Sequence, residues 1–545
     1  MIIKNRILAL GLGIVLAATF SQALTAGAAG AQASPLLRTT DLGVVKGIDQ
    51  SKAGGTYSWL GIPYAEAPVG ELRWKAPVTH KPWTGTRAAD KYGNGCIQQG
   101  RMFSPAPSGP HYGLDIRDGL GKPVGAEDCL TLNVTRPSND QTDLPVIVFI
   151  HGGSNVVGYS ADPMYDARAL AQKTNSVVVT INYRLGVFGW LDLPGLKTGD
   201  PINDSGNFGT LDQLEALRFV NQNAAAFGGN EGNVAVMGES AGAVNVWALL
   251  VSPKAKGLVD KAIPLSGGLS FATPAKARTY AEQFSTDAVG AAPNPAEAAR
   301  RLRAASAQDL IRAEVRRGAV VGDPPAVIAD GTVLPTDYHA EIASGRLAGV
   351  PVLAGNTSEE GKLFGSLVGA YRPNDYNRFT AQYFFDPNKP TLLTERHFLN
   401  DAFLPVAGAG KWNDAAKQLT DAIFTGITAD SMNSMQAAGN KNLYYYEFEW
   451  NQEPAPFNTV YGAVHAMDLP FVFRTFDKGL FTFAFSQANQ PGRLKLSDMM
   501  INSIGAFVRS GNPQHTGLGN QWDQWPRSIV LDADNQNATA KPGSF

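Results

Sequence analysis

The sequence predicts an α/β fold, a large and mostly parallel sheet flanked by helices, and three observations carry that expectation. Short β-branched runs alternate with longer helical patterns along the chain. The runs Pro145–Ile150 and Ser176–Tyr183 are apolar without a break in pattern, as strands are when both faces of their sheet are covered. A glycine-flanked serine, Gly238-Glu-Ser-Ala-Gly242, falls where one such run gives way to a helical pattern.

Taken in order, the chain opens on a segment that reads as a cleavable signal peptide, residues 1–33. Lys4 and Arg6 form a basic start, and Ile7–Phe20 is an apolar stretch of 14 residues. At 1.5 Å per residue that stretch is too short to span ~30 Å of hydrocarbon. Ala31-Gln32-Ala33 supplies a small-x-small cleavage site before Ser34. No stretch of flexible composition divides the remainder, so residues 34–545 are expected to form a single domain. With 44% hydrophobic and 17% charged residues it has the composition of a core-forming globular chain. The formal net charge of −2 gives no footing for nucleic acid or an anionic membrane surface as partner, and no later stretch is apolar enough for stable membrane insertion.

Leu214, Leu217 and Val220 recur at helical spacing between Asp212 and Phe227. Asn233–Met237 reads as a buried strand and Ala241–Leu250 as the helix after it. Asn294-Pro295 caps and starts a helix expected to run to about Arg312. Val350–Ala354 and Leu443–Phe448 read as later strands, and a last helix over Leu494–Arg509 stops at Gly511-Asn-Pro513. The two cysteines, Cys96 and Cys129, lack the spacing of a redox or metal site and read as structural. Export would favour a disulfide between them, worth ~3 to 4 kcal/mol on the chain-entropy model.

The chemistry is expected at Ser240. A G-x-S-x-G string on a strand–turn–helix junction lets the backbone turn sharply and lifts the serine hydroxyl off the sheet edge, beside the positive end of the next helix. The simpler reading is a serine that caps that helix. A serine nucleophile needs a base to take its proton and amide donors for the developing oxyanion. His151-Gly-Gly-Ser154 follows the run ending at Ile150, where such donors belong, so the N–H groups of Gly153, Ser154 and Ala241 form the expected oxyanion hole. His151 itself reads as a residue that shapes the turn.

Across most of the mature chain the sequence resembles the type-B carboxylesterase and cholinesterase family. The likeness is carried by Gly61-Ile-Pro-Tyr-Ala65 with Pro68, Gly70 and Arg73, then Glu127-Asp-Cys-Leu-Thr-Leu-Asn133, Asn182–Gly189, Phe227–Asn230 and Gly238–Gly242, in the family's order. The resemblance implies an α/β-hydrolase fold and hydrolysis of small-molecule carboxylic esters without metal or organic cofactor. It places the catalytic acid at Glu360 of Asn356-Thr-Ser-Glu-Glu-Gly361, with Glu359 as the neighbouring alternative. It places the general base at His465 of Gly462–Phe473. It also implies a Cys96–Cys129 disulfide and ion pairs Arg73–Glu127 and Arg184–Asp212; no function is inferred for Glu239 beyond tuning the field around the site. Ser154 stands where the family often has Gly or Ala, and the 97–128 loop has no Trp, which argues against a choline-ester specialist. A lipase-like enzyme, an amidase or carbamate hydrolase of the same mechanism, and a non-catalytic binder on the same fold stay open. Segments 97–128, 269–325 and 365–440 are expected to shape the pocket, and Tyr371, Phe384 and Phe385 are candidates to line it or to pack in the core. The acyl and alcohol groups, the oligomeric state and the choice between secreted and periplasmic are not assigned.

Overall fold

A computed structural model describes residues 34–316 and 326–545. The expected signal segment lies outside the described residues.

Among the described residues, eleven strands form one sheet. In chain order they are β1 (Ile48–Gln50), β2 (Thr56–Pro63), β3 (Thr131–Pro137), β4 (Leu144–Ile150), β5 (Val177–Ile181), β6 (Gly229–Glu239), β7 (Lys261–Leu265), β8 (Val352–Thr357), β9 (Leu443–Phe448), β10 (Arg527–Ala533) and β11 (Ala538–Ser544). Their order across the sheet is β11-β10-β9-β8-β7-β6-β4-β5-β3-β2-β1. The seven strands from β10 to β5 run parallel, and antiparallel pairs close both edges. The parallel centre matches the expectation from the apolar runs. The edge strands β1 to β3, β10 and β11 were not anticipated, because mixed polar and apolar stretches leave no unbroken apolar run to find.

The period-two geometry of β4 shows why its sequence is apolar throughout. Val146, Val148 and Ile150 pack into one core, while Ile147 and Phe149 pack into a second on the other face. Each such side chain contributes about 1.5 to 3 kcal/mol by leaving water. Helices α1 (Phe208–Asn223) and α2 (Ala241–Val251) cover the first face with Leu214, Leu217, Val246 and Trp247. The long helix near the C-terminus (Gln490–Ser510) covers the second with Leu496, Ile501 and Phe507, and Gly511 ends it at φ 78°. Between β7 and β8, helices α3 (Pro274–Val289), α4 (Pro295–Ala304) and α5 (Ala307–Arg316) build a smaller core on Val187 and Phe188.

The single helix expected from Asn294 to Arg312 is in fact α4 and α5. Ala305 turns to extended backbone and the Ser306 hydroxyl accepts from the Asp309 N–H at 3.1 Å, capping a new helix. Arg73 holds the break by donating to the Ala305 carbonyl at 2.9 Å. The other helix boundaries move by a few residues.

The implied scaffold contacts are all present. Cys96 and Cys129 are bonded at 2.01 Å. Arg73 grips Glu127 through Nε and Nη2 at 2.7 and 2.6 Å. Arg184 grips buried Asp212 through the same two nitrogens, both at 2.7 Å. Among the described residues, no helix is long and apolar enough to cross a membrane.

Candidate active site

Parallel strands end together, so the loops after them share one rim of the sheet, where open α/β sheets place their sites. Gly238 of β6 pairs with Ile150 of β4, which sets Ser240 beside the His151–Ser154 loop. β8 leads into Glu360 and β9 into the loop that carries His465.

Ser240 has φ 59° and ψ −123°, a left-handed backbone that a side chain rarely adopts and that the surrounding packing must enforce. The flanking glycines are required here. A Cβ on Gly238 would lie 2.4 Å from the Gly242 carbonyl oxygen, and one on Gly242 would lie 2.1 Å from that of Ile150. The Ser240 N–H is tied to the Leu265 carbonyl at 2.8 Å, which fixes the turn against β7. As a helix cap the residue is idle, since its side chain makes no capping bond.

Glu360 and His465 meet directly, with Nδ1 to Oε2 at 2.5 Å, and both are buried. The other Glu360 oxygen accepts from Thr357 N–H at 2.9 Å and Asn356 Nδ2 at 3.1 Å. Burial alone would raise the Glu360 carboxyl, but the imidazole, the Ser266 hydroxyl and the Thr357 N–H outweigh it and hold the group ionised below its usual range. The alternative acid, Glu359, is committed elsewhere. Its Oε2 accepts from Ala463 N–H at 3.0 Å, and Oε1 pairs with buried Lys362 at 2.6 Å. Glu359 therefore clips the histidine loop in place, and it is Glu360 that meets the imidazole. Phe364 and Phe424 pack on the imidazole with ring centroids 5.2 and 4.6 Å away.

Sequence reasoning left Glu239 with no part beyond tuning the field around the site. Its Oε1 stands 3.0 Å from His465 Nε2, yet the two are not aligned as a hydrogen bond and each lacks a partner. Burial pushes the Glu239 carboxyl up further than the imidazole pulls it down. The imidazole is raised by Glu239 and Glu360 against its own desolvation. The signal was available, because Glu239 directly precedes the elbow serine. Among the described residues no hydrogen bond joins Ser240 Oγ to His465, although both line one cavity.

Gly153 and Ser154 line that cavity, and Ala241 follows Ser240 as the first residue of α2. Among the described residues no acceptor is bonded to the N–H of Gly153, Ser154 or Ala241. Gly153 and Ser154 have φ 102° and 55°, which explains why glycine suits this loop and why Ser154 is the costlier choice. His151 shapes the turn. It is buried, stacks on Tyr183 at 4.6 Å, and desolvation lowers it to about 4, so it is neutral.

The cavity holds about 300 Å³ and is mostly apolar, with Met102, Phe103, Val157, Leu363, Phe364 and Ile423 in its walls. Loop 97–128, pinned by the disulfide, and segment 365–440 both contribute as expected. Among the described residues, 269–325 supplies no wall. Tyr371, Phe384 and Phe385 do not line it either. Tyr371 packs on Trp412, Phe385 on Phe457, and Phe384 is 62% exposed. Among the described residues, no cluster of three or more His, Cys, Asp or Glu side chains could hold a metal ion.

A parallel sheet with a serine elbow at its rim, an acid–imidazole pair and a loop of free amides defines an α/β-hydrolase. The carboxylesterase family model matches residues 34–541. The para-nitrobenzyl esterase of Bacillus subtilis is 32% identical, covering 91% of this chain and 94% of its own. An acylcarnitine hydrolase of Mus musculus is 33% identical, covering 93% of this chain and 87% of its own. A solved para-nitrobenzyl (PNB) esterase superposes with a TM-score of 0.74 at 30% identity, covering 93% of this chain and 97% of that one. A carboxylesterase of Geobacillus stearothermophilus gives 0.71 at 28%, covering 93% and 98%. The chain belongs to the carboxylesterase family and is a carboxylic ester hydrolase.

Proposed function

We propose that residues 34–545 act as one catalytic unit in which Ser240 is the nucleophile, His465 the general base and acid, and Glu360 the orienting carboxylate. The observation that carries this reading is the Glu360–His465 bond of 2.5 Å, in a cavity that also holds the elbow serine and the free amides. Glu360 fixes Nδ1 as the protonated nitrogen and leaves Nε2 to work. Nε2 turns from Glu239 toward Ser240 Oγ as substrate enters, since hydrogen bonds of this kind tighten only in the complex.

Ser240 Oγ attacks the ester carbonyl while its proton passes to Nε2. The oxyanion is held by the N–H groups of Gly153, Ser154 and Ala241. The intermediate collapses, the alcohol leaves with the proton from Nε2, and an acyl-Ser240 ester remains. Water attacks that ester, gives its proton to Nε2, and the acid departs as Ser240 Oγ takes the proton back. The apolar walls favour an apolar acyl or alcohol group beside the ester. Residues 1–33 act as a signal peptide that exports the chain, a reading supported by their basic-then-apolar pattern and by a disulfide in the mature part.

An organophosphate tests the assignment. One equivalent should bind and abolish esterase activity, and peptide mass analysis should find it on Ser240. Inactivation with the label on another residue would refute it.

A further inference from the structure

Besides its apolar walls, the Ser240 cavity presents three charged side chains that the acyl-transfer mechanism does not use: Arg101, Asp375 and Arg378. Asp375 stands between the two guanidiniums. Its Oδ1 accepts from Arg378 Nη2 at 2.7 Å, and its Oδ2 lies 3.5 Å from Arg101 Nε. Guanidinium groups stay protonated, so one carboxylate against two of them leaves a net positive charge on the cavity wall. The other carboxyl in the wall, Glu239, is set against the imidazole, 3.0 Å from His465 Nε2, and not against the arginines.

The two arginines are also short of acceptors. Arg378 has a side chain 6% exposed, is stacked 4.2 Å over Tyr371, and its Nε is buried without a partner. Among the described residues, Arg101 makes no side-chain hydrogen bond, although its main chain is anchored by Ser104. Arg101, whose side chain is 29% exposed, keeps its guanidinium donors open to the cavity, and a planar anion suits them best because it matches the guanidinium fork.

We propose that the preferred substrates are esters that carry a second, ionised carboxylate, half-esters of dicarboxylic acids being the simplest members, with that carboxylate held by Arg101 and Arg378. The inference rests on the Ser240 reading above, which supplies the reaction, and adds the chemistry of the substrate.

The test compares release of p-nitrophenol from mono-p-nitrophenyl succinate, glutarate and adipate with release from the same compounds capped as methyl esters. At the best chain length the free carboxylate should raise kcat/KM by about tenfold or more over its capped partner. Added salt should erode that ratio. Arg101→Gln should bring the ratio close to one, and Asp375→Asn, which frees both guanidiniums, should raise it. Capped esters cleaved as well as the free carboxylates at every length, or a ratio that Arg101→Gln leaves in place, would overturn the proposal while Ser240 chemistry stands. Failure to cleave any of these esters, together with failure to react with an organophosphate, would overturn the Ser240 reading and this one with it.

Discussion

Two buried acids, Asp212 and Glu239, show how differently one fold uses a charge. Asp212 is fully buried and accepts three bonds from Arg184, from Nε, from Nη2 and from the backbone N–H at 3.0 Å. Glu239 is 3% exposed and accepts no hydrogen bond among the described residues, while the nitrogen facing it is likewise unpartnered. The first acid is frozen by its donors and ties the 182–189 loop to α1. The second stands unbonded 3.0 Å from His465 Nε2, in the wall of the cavity. Asp212 is held as scaffold by its donors, and Glu239 is left open to the imidazole it faces.

The largest effect should fall on the unsatisfied side. His465→Ala should lower kcat for a p-nitrophenyl ester by on the order of 10⁴ to 10⁶ with an unchanged circular dichroism spectrum. A loss of tenfold or less would remove the imidazole from the mechanism. On the satisfied side the damage should appear in stability. Asp212→Ala leaves a buried guanidinium without its partner and should cost ~3 to 5 kcal/mol in urea unfolding. An unfolding midpoint equal to that of the wild type would contradict the scaffold role.

How much of this was legible in the sequence follows from the same contrast. The elbow at Ser240 and the loop at Gly153 could be read because a sharp turn beside a strand needs glycine, and glycine is visible in a sequence. Glu360 came through family resemblance and His465 mainly so, helped by its place in a loop after the strand at 443–448, since little local marks a residue whose partner is 105 positions away. Glu239 was given no more than a field-tuning part because its setting depends on which donors are missing, and a sequence does not display missing donors. The α4–α5 break escaped notice because Ser306 looks like any polar helix residue until Arg73 arrives from the far end of the chain. The edge strands were hidden for a similar reason, since polar residues such as Asn133, Thr135 and Arg136 interrupt the apolar run although they are buried.

A third test bears on the loop that walls the cavity. Cys96→Ser with Cys129→Ser removes the bond that closes loop 97–128 and should lower stability by ~3 to 4 kcal/mol in denaturant unfolding. Because Arg101, Met102 and Phe103 sit on that loop, KM should rise more than kcat falls. Equal stability with and without the bond would contradict this.

The smallest effect should come from Glu239→Gln. His465 is a base only after losing its proton, and the flanking carboxylates raise the pH at which that happens. Activity should therefore rise with pH through an apparent pKa above the ordinary histidine value, the pair titrating as one unit. Removing one carboxylate favours the neutral imidazole, so the acid limb of kcat/KM should move down by about 1 pH unit. A limb that stays in place, or moves up, would show that Glu239 and His465 are not coupled.

The most direct test of the acyl-transfer account is to catch the acyl group. Enzyme mixed with a p-nitrophenyl ester and quenched in acid within the first turnovers should gain the mass of one acyl group, carried on Ser240. A p-nitrophenol burst stoichiometric with enzyme should accompany it. An unmodified protein during steady turnover, or an acyl group carried by any other residue, would contradict it.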